Sequence, residues 1–444
     1  MRAAVPPRRA ELSSAELQKL SELTVELIDA RPDAASEFKR FDAVRFRNTA
    51  VPEPELTQWL AGKRVLVTGG TGCVGSMLLA ELARFGAGHL WSLSRRVTTG
   101  WPVLDQVTYV HADVRYPADL SRAVSSIRPD IVFHLAAQRD PGLAEREVVR
   151  TVHTNLMGTS HIVSACAAAG VSDLICATSG KALRPYSRAV YTAGKRTAEW
   201  VLASAAARTE MKVSASRFTH VVDNSIIGDR LRAWAASGVM RLHDPDVAFY
   251  VQSALESAQL MLNAGVRAQR GRFEVSAISD LGWPVSLLDL AVGTLQSHGS
   301  GTPVYFSGYD PGYEQVAFPA LYDPMTAGDF SPLLNGFEAA SAERAPGLEI
   351  DLCALPFDLG RVDAGILPRL EQACLADDSI AVRARLDELS QQVFDAALAP
   401  LPAPLLRRTI ALASQYEAEL GEDHAYMLAG LRRHLPSAVT ADRN

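Results

Sequence analysis

Tyr191 and Lys195 lie four residues apart in "YTAGKRTAEWVLASAAA", a helix-forming run, so their side chains share one face. A phenol exchanges a proton with a hydroxyl or carbonyl oxygen, and an ammonium beside it lowers the phenol's pKa and holds a ribose. Just upstream, "ATSGKALRP" adds Ser179 and Lys181 at the end of an apolar run. Together these groups suit moving a proton beside a hydride. The Tyr–Lys spacing also arises by chance in many helices, so the surrounding chain has to decide.

A hydride needs a carrier, and "VLVTGGTGCVG" supplies a place for one. Gly69, Gly72 and Gly75 fall where a strand turns into a helix, with Thr71, Cys73 and Val74 in the same turn. A turn without side chains lets the backbone approach a pyrophosphate, and the helix N-terminus offers N–H groups and a positive dipole end. The second strand ends in "SLSRR", putting Ser94, Arg95 and Arg96 where an NAD-binding protein carries an acid for the ribose 2′-hydroxyl. Two guanidinium groups suit a 2′-phosphate, so NADP is expected over NAD; the alternative is a solvated basic loop. Asp113, with Val114 after the third strand, is expected to accept from the adenine amino group or to cap the strand end. Leu135, Ala136 and Ala137, after the fourth strand, are expected along the cofactor as well.

The elements that must hold these residues follow from the pattern. From residue 63, "KRVLVTGG", "HLWSLS", "VTYVHAD", "DIVFHLAA", "DLICATS" and "KVSASRF" alternate with helical segments. Short, near-continuous apolar runs suit strands buried on both faces, and intervening helices suit parallel crossovers. The expected fold is α/β, a Rossmann-like doubly wound parallel sheet with a smaller substrate-binding part and added N- and C-terminal helical segments. The predicted divisions are a helical extension over 1–62, a cofactor domain over 63–225, a substrate-binding part over 226–330 and a helical region over 331–444. In the first, Ser13 and Glu16 have capping-box spacing and Leu17, Leu20, Leu23 and Leu27 follow, predicting a helix over 14–30. In the third, "GRFEVS" and "TPVYFSG" read as strands; beyond 330 only helices are expected.

The chain has 444 residues, 48% apolar and 21% charged, enough for a large core. A formal net charge of −6 without a basic block excludes an electrostatic nucleic-acid surface. The five cysteines are odd in number and sit mostly in apolar runs, which predicts reduced thiols and a cytoplasmic setting. No apolar run reaches the ~18 residues of a membrane span, and neither "HDPD" nor "GEDH" sits in a cluster with metal spacing, so no membrane and no metal is expected. His134 is expected to be a packing histidine.

At this point the chain resembles an extended short-chain dehydrogenase/reductase, and more narrowly the nucleotide-sugar 4,6-dehydratases and epimerases of polysaccharide biosynthesis. Over about residues 55–325, "LAGKRVLVTGGTGCVGS", "HLAAQRDPGLAE", "TNLMGT", "ATSGKALRP", "YTAGKRTAE", "SRF" and "DPGYE" fall in that family's order. The resemblance implies that Ser179 polarises the substrate oxygen, Tyr191 is the acid/base, Lys195 supports it, Asn155 helps organise the site, and paired subunits form. It also implies substrate contacts at Arg139, Gly180, His220 and Phe249.

The departures are informative. Where those dehydratases read Ser-Thr-Asp-Lys, this chain reads Thr178-Ser179-Gly180-Lys181, so the acid for water loss is absent while Lys181 remains as a candidate base. After "SRF" the family's Gly-Asn is Thr219-His220, and two arginine positions suited to a diphosphate hold Phe249 and Asp310. The expectation is therefore an NADP-dependent oxidoreductase acting on a carbonyl or secondary alcohol of a small polar, sugar-like or cyclitol-like substrate. The alternatives are a nucleotide-sugar dehydratase or epimerase with transient C4 oxidation, and a cofactor-binding protein without catalysis.

Overall fold

The strands predicted from near-continuous apolar runs are buried on both faces: Val65, Leu66 and Val67 are inaccessible, as are Ile131, Val132 and Phe133. In the computed structural model, which describes residues 1–96, 100–236, 238–299, 301–313, 328–416 and 421–435, they belong to one nine-stranded sheet. Its strands are β1 (Arg64–Thr68), β2 (His89–Ser94), β3 (Val107–His111), β4 (Ile131–His134), β5 (Asp173–Ser179), β6 (Lys212–Phe218), β7 (Glu274–Ile278), β8 (Ala342–Arg344) and β9 (Ile350–Ala354). The order is β8-β9-β7-β6-β5-β4-β1-β2-β3. Pairing is parallel from β3 across to β7 and antiparallel from β7 through β9 to β8.

After β3 the chain returns to the other side of β1, so the carboxyl ends of β1 and β4 flank a topological switch point, the place where open α/β sheets bind ligands. The helix Val190–Arg208 has nearly every residue buried. One of its faces turns toward the sheet. Another meets the helices Ile366–Leu375 and Ser379–Leu398 through Val201, Ile366, Leu370, Val382, Leu389 and Val393.

One expectation for the C-terminal region needs correction. Strands do not stop at residue 330, because β8 and β9 extend the sheet. Asp351 hides β9 in the sequence; it is inaccessible in the sheet because Arg344 Nε (2.9 Å) and Ser331 N–H (2.7 Å) donate to it. Among the helices expected there, Ile366–Leu375 is followed by Asp377, whose φ is 53°, and Asp378 then caps Ser379–Leu398.

The chain divides into two compact units. One comprises Thr49–Phe218, Ala258–Asp280 and the described part of Glu314–Asn444, and contains the sheet. The other comprises Met1–Asn48, Thr219–Ser257 and Leu281–Tyr313. In it, the helix Ser14–Asp29 starts on the predicted Ser13/Glu16 capping box. The helix Ala34–Ala43 lies close against Leu287–His298 at Gly293, where a Cβ would come within 2.3 Å of the Ala34 carbonyl oxygen. Three two-stranded pairings complete this unit, joining His220–Val221 to Val251–Gln252, Ala248–Phe249 to Val285–Ser286, and Met240–Leu242 to Val304–Phe306. The N-terminal residues thus group with later segments, and the C-terminal region groups with the sheet.

All five cysteines are buried and none is in a disulfide. Among the described residues no helix is long and apolar enough to cross a membrane, and no group of three His, Cys, Asp or Glu forms a metal site.

Candidate active site

The glycine turn after β1 is shaped by close approach. Gly69 has φ +75°, a left-handed conformation, and a Cβ there would fall 2.8 Å from the Ala136 backbone nitrogen in the loop after β4. A Cβ on Gly75 would fall 2.3 Å from the Gly69 carbonyl oxygen. Gly72 is the N-cap of the helix Cys73–Arg84, so Cys73 and Val74 open a helix whose positive end meets the turn, with Thr71 just before it. Ala136, between Leu135 and Ala137, thus borders the same cradle. At the end of β2, Ser94 Oγ is buried with no hydrogen-bond partner among the described residues. A side-chain-free turn, a helix N-terminus and an orphaned hydroxyl fit a dinucleotide.

Asp113, expected to accept from adenine or to cap the strand end, accepts the Arg115 backbone N–H at 3.0 Å just beyond β3. Its carboxylate is held by Arg115 through Nε (3.0 Å) and Nη2 (2.7 Å). Burial pushes its pKa up, but the Arg115 hydrogen bonds outweigh burial and hold it below the usual carboxylate value. Next to it, Val114 is buried and its carbonyl accepts from His161 Nδ1 at 2.9 Å. Arg95 senses the charges of Asp113, Arg150, Arg115 and Arg96, so the end of β2 carries a group of four arginines around one acid. Sequence reasoning found Arg95 and Arg96 but missed Arg115 and Arg150. Arg115, two residues after Asp113, was the available signal.

The residues expected to be catalytic gather at the end of β5. Ser179 ends this strand and caps the short turn Gly180–Leu183, its Oγ accepting the Lys181 N–H at 3.2 Å. The Tyr191 and Ser179 hydroxyls are hydrogen-bonded. Tyr191 sits in the first turn of Val190–Arg208, which lacks a side-chain cap of its own. Instead the Val190 N–H donates to Glu145 (2.7 Å), and Arg383 Nη1 donates to the other oxygen of the same carboxylate (2.7 Å).

Lys195 is buried on the Tyr191 face, with Nζ 3.5 Å from the Ala177 carbonyl oxygen. Burial pulls its pKa down to about 8, opposed by Cys176 and Glu199. The Tyr191 pKa is raised, contrary to the lowering expected from its spacing with Lys195. Burial outweighs the opposing Ser179 hydrogen bond and the Arg139 charge. The phenol therefore holds its proton at neutral pH.

Asn155 lies in a π-helical turn, His153–Met157. Its amide nitrogen donates to the Gln138 carbonyl (2.8 Å) and its oxygen accepts the Gln138 N–H (2.7 Å), so it fixes the loop that carries Arg139. His134 is a packing histidine: Nδ1 is 2.7 Å from Thr68 Oγ1, Nε2 is 3.4 Å from Thr159 Oγ1, and burial drives its pKa down to about 3. A Cβ on Gly180 would meet Leu333 Cδ2 at 2.8 Å, so a hydrocarbon fills the space beside Ser179.

His220 and Phe249 lie in the other unit, with ring centroids 5.3 Å apart and edge-on, and His220 Nε2 is 2.7 Å from Ser225 Oγ. Asp310, also there, is 3.5 Å from His243. Glu314, at the end of "DPGYE", lies outside the described residues. Sequence reasoning also passed over Thr178, Glu199 and Arg217, which form a buried polar chain behind β5 and β6. Glu199 had a signal: it follows Tyr191 and Lys195 at the same four-residue step.

A mostly parallel sheet with a glycine cradle at its switch point and a Ser–Tyr–Lys group at a neighbouring strand end defines an extended short-chain dehydrogenase/reductase. The model of one family within that class, described as polysaccharide biosynthesis protein, matches residues 65–315, and the chain belongs to that family. It is similar to the capsular polysaccharide biosynthesis protein CapD of Staphylococcus aureus, 26% identical over 280 residues that cover 59% of this chain and 46% of that protein. It also resembles the UDP-N-acetylglucosamine 4,6-dehydratase (inverting) of Campylobacter jejuni, 27% identical over 170 residues, 36% of this chain and 50% of that protein. The chain thus spans about half the length of these curated relatives. Among solved structures, Pen from Bacillus thuringiensis shares the fold, with a TM-score of 0.56 and 21% identity across 66% of this chain and 86% of that one.

Proposed function

We propose that the chain binds NADP and a nucleotide-linked sugar, and that Ser179, Tyr191 and Lys195 carry a transient oxidation at a ring hydroxyl, C4, followed by return of the hydride. The observation that carries this is the Ser179–Tyr191 hydrogen bond with Lys195 buried on the same helix face. Kinship with nucleotide-sugar enzymes supports this substrate class over the small free substrate expected from the altered residues alone.

A nicotinamide cofactor bound at the cradle supplies the acceptor and donor of hydride. Ser179 Oγ orients the reacting sugar oxygen, and the Tyr191 phenol takes or gives the proton on that oxygen. The Lys195 ammonium stabilises negative charge on the phenol while it is deprotonated. Arg95 and Arg96, backed by Arg150, favour a 2′-phosphate over the bare ribose of NAD.

Elimination of water needs an acid for the departing hydroxyl, and neither Gly180 nor the Leu333 methyl beside it offers a proton. The reaction therefore ends in epimerisation at C4. Phe249 and Asp310 suit a donor bound without the two arginines of the family, so selection among nucleotide sugars differs from that of the relatives. The Val190–Arg208 face is covered within the chain by the C-terminal helices, so a pairing of two copies uses another surface.

The test is incubation of the full chain with UDP-N-acetylglucosamine or UDP-glucose and a catalytic amount of NADP, followed by NMR of the sugar. The C4 epimer is expected. A 4-keto-6-deoxy product overturns the exclusion of elimination. Stoichiometric NADPH consumption on free carbonyl compounds, with neither nucleotide sugar altered, overturns the proposed substrate class.

A further inference from the structure

The segment Ser331–Ala339 lies beyond the family match, which ends at residue 315, yet it is wired into the back of the catalytic group. Asn335 caps the short helix Gly336–Ala339, and its side-chain nitrogen donates to the Leu183 carbonyl (2.6 Å) in the turn that follows Ser179. Leu333 packs on Gly180, and its carbonyl accepts from Arg217 Nη1 at 2.9 Å. Glu338 accepts from Arg217 Nη2 at 2.8 Å and from Arg196 Nη1 at 2.9 Å.

Arg217 also donates Nε and Nη2 to the two oxygens of Glu199, at 2.9 and 2.7 Å. Glu199 in turn accepts from Thr178 Oγ1 (3.1 Å), the residue before Ser179, and its charge acts on Lys195. Arg217 and Glu199 are 0% exposed, and Arg196 and Glu338 are 5% exposed, so water does not screen the four charges. Two carboxylates and two guanidinium groups balance, which is what permits their burial. Without Glu338, both guanidinium groups fall to Glu199 alone, and Glu199 is the group that holds Thr178.

We infer that Glu338 is a positioning residue for the catalytic group. It occupies one side of the Arg217 fork, so Glu199 stays aligned on Thr178 and faces Lys195, which fixes Ser179 and Tyr191 for proton transfer. A segment outside the family match thereby completes the site. The inference rests on the proposed catalytic role of Ser179, Tyr191 and Lys195.

The experiment uses the full chain with Glu338→Gln, an isostere that removes the charge, and Glu338→Asp, which keeps it. In protein carrying 13C-labelled lysine, the Lys195 ε-methylene resonance, assigned by its loss in Lys195→Arg, is compared at one pH. It should be displaced in folded Glu338→Gln and, by a smaller amount, in Glu338→Asp, which keeps the charge on a side chain too short to hold both guanidinium groups unaltered. With UDP-N-acetylglucosamine as probe, kcat should fall by roughly tenfold to a hundredfold with KM nearly unchanged, the size of effect that small misplacements of reacting groups produce.

Folded Glu338→Gln with the wild-type lysine resonance overturns the inference, whatever the substrate. If that variant does not fold, a folded Glu338→Asp with wild-type resonance and kcat overturns it in the same way, since a carboxylate shorter by one methylene cannot reach both guanidinium groups unaltered. A displaced resonance in a chain whose wild type leaves the probe untouched supports the inference and counts against the proposed substrate instead.

Discussion

Leu333 Cδ2 lies 2.8 Å from the point where a Cβ on Gly180 would stand, so a residue from the segment before β8 fills the space beside Ser179. Introducing an acid by Gly180→Asp must displace this leucine. Overpacking of this kind costs about 1–3 kcal/mol. Denaturant unfolding should show that loss in Gly180→Asp, and the Gly180→Asp/Leu333→Ala double variant should be more stable than the two single losses together imply. Strict additivity would mean that the two residues do not compete for this space.

Tyr191→Phe removes the proton and keeps the ring. Turnover should fall by about 10²–10⁴, while NADP binding, followed by NADPH fluorescence, should stay near wild type. Wild-type turnover in this variant would remove Tyr191 from the reaction.

Lys195 sets a pH dependence of opposite sign for activity and for stability. Lys195 titrates at about 8 in the folded chain because it is buried, and loses its charge above that value. The kcat profile should therefore carry a falling alkaline limb centred near 8. The folded chain binds fewer protons at Lys195 than the unfolded chain between about 8 and the ordinary value of 10.5, so stability from this group rises with pH through that window. Compared by denaturant unfolding at either end of the window, the stability of Lys195→Met relative to wild type should decline as pH rises. A constant difference would place Lys195 at its ordinary pKa.

The arginines at the end of β2 should decide the cofactor. Arg95→Ala combined with Arg96→Ala should weaken NADP by about tenfold or more, the worth of one lost charge-assisted hydrogen bond, and leave NAD unchanged. Arg150→Ala should give a smaller loss in the same direction. Equal losses for both cofactors in competition titrations would mean that these side chains contact something other than the 2′-phosphate.

Much of the site was legible because its residues obey local rules. Gly69, Gly72 and Gly75 mark a turn that excludes side chains, and Tyr191, Lys195 and Glu199 recur at the helical step that puts them on one face. The alternation of short apolar runs with helical segments likewise revealed β1 to β6, because a strand covered on both sides needs apolar residues on both sides. Boundaries of this kind are set by neighbours in sequence.

The amino-acid sequence alone determined the doubly wound sheet, the cradle and the identity of the Ser–Tyr–Lys group. Only the tertiary structure decided that β9 is a strand, since an acid such as Asp351 is tolerable in a buried strand only when Arg344 and the Ser331 N–H arrive from elsewhere to satisfy it. It also decided the direction of the Tyr191 pKa, because burial depends on what packs around the phenol and not on the spacing of its partner. The same holds for Glu338 and Arg217, which are 121 residues apart in the chain. Their pairing has no local signature, because a buried charge is stabilised by whichever opposite charge the fold delivers.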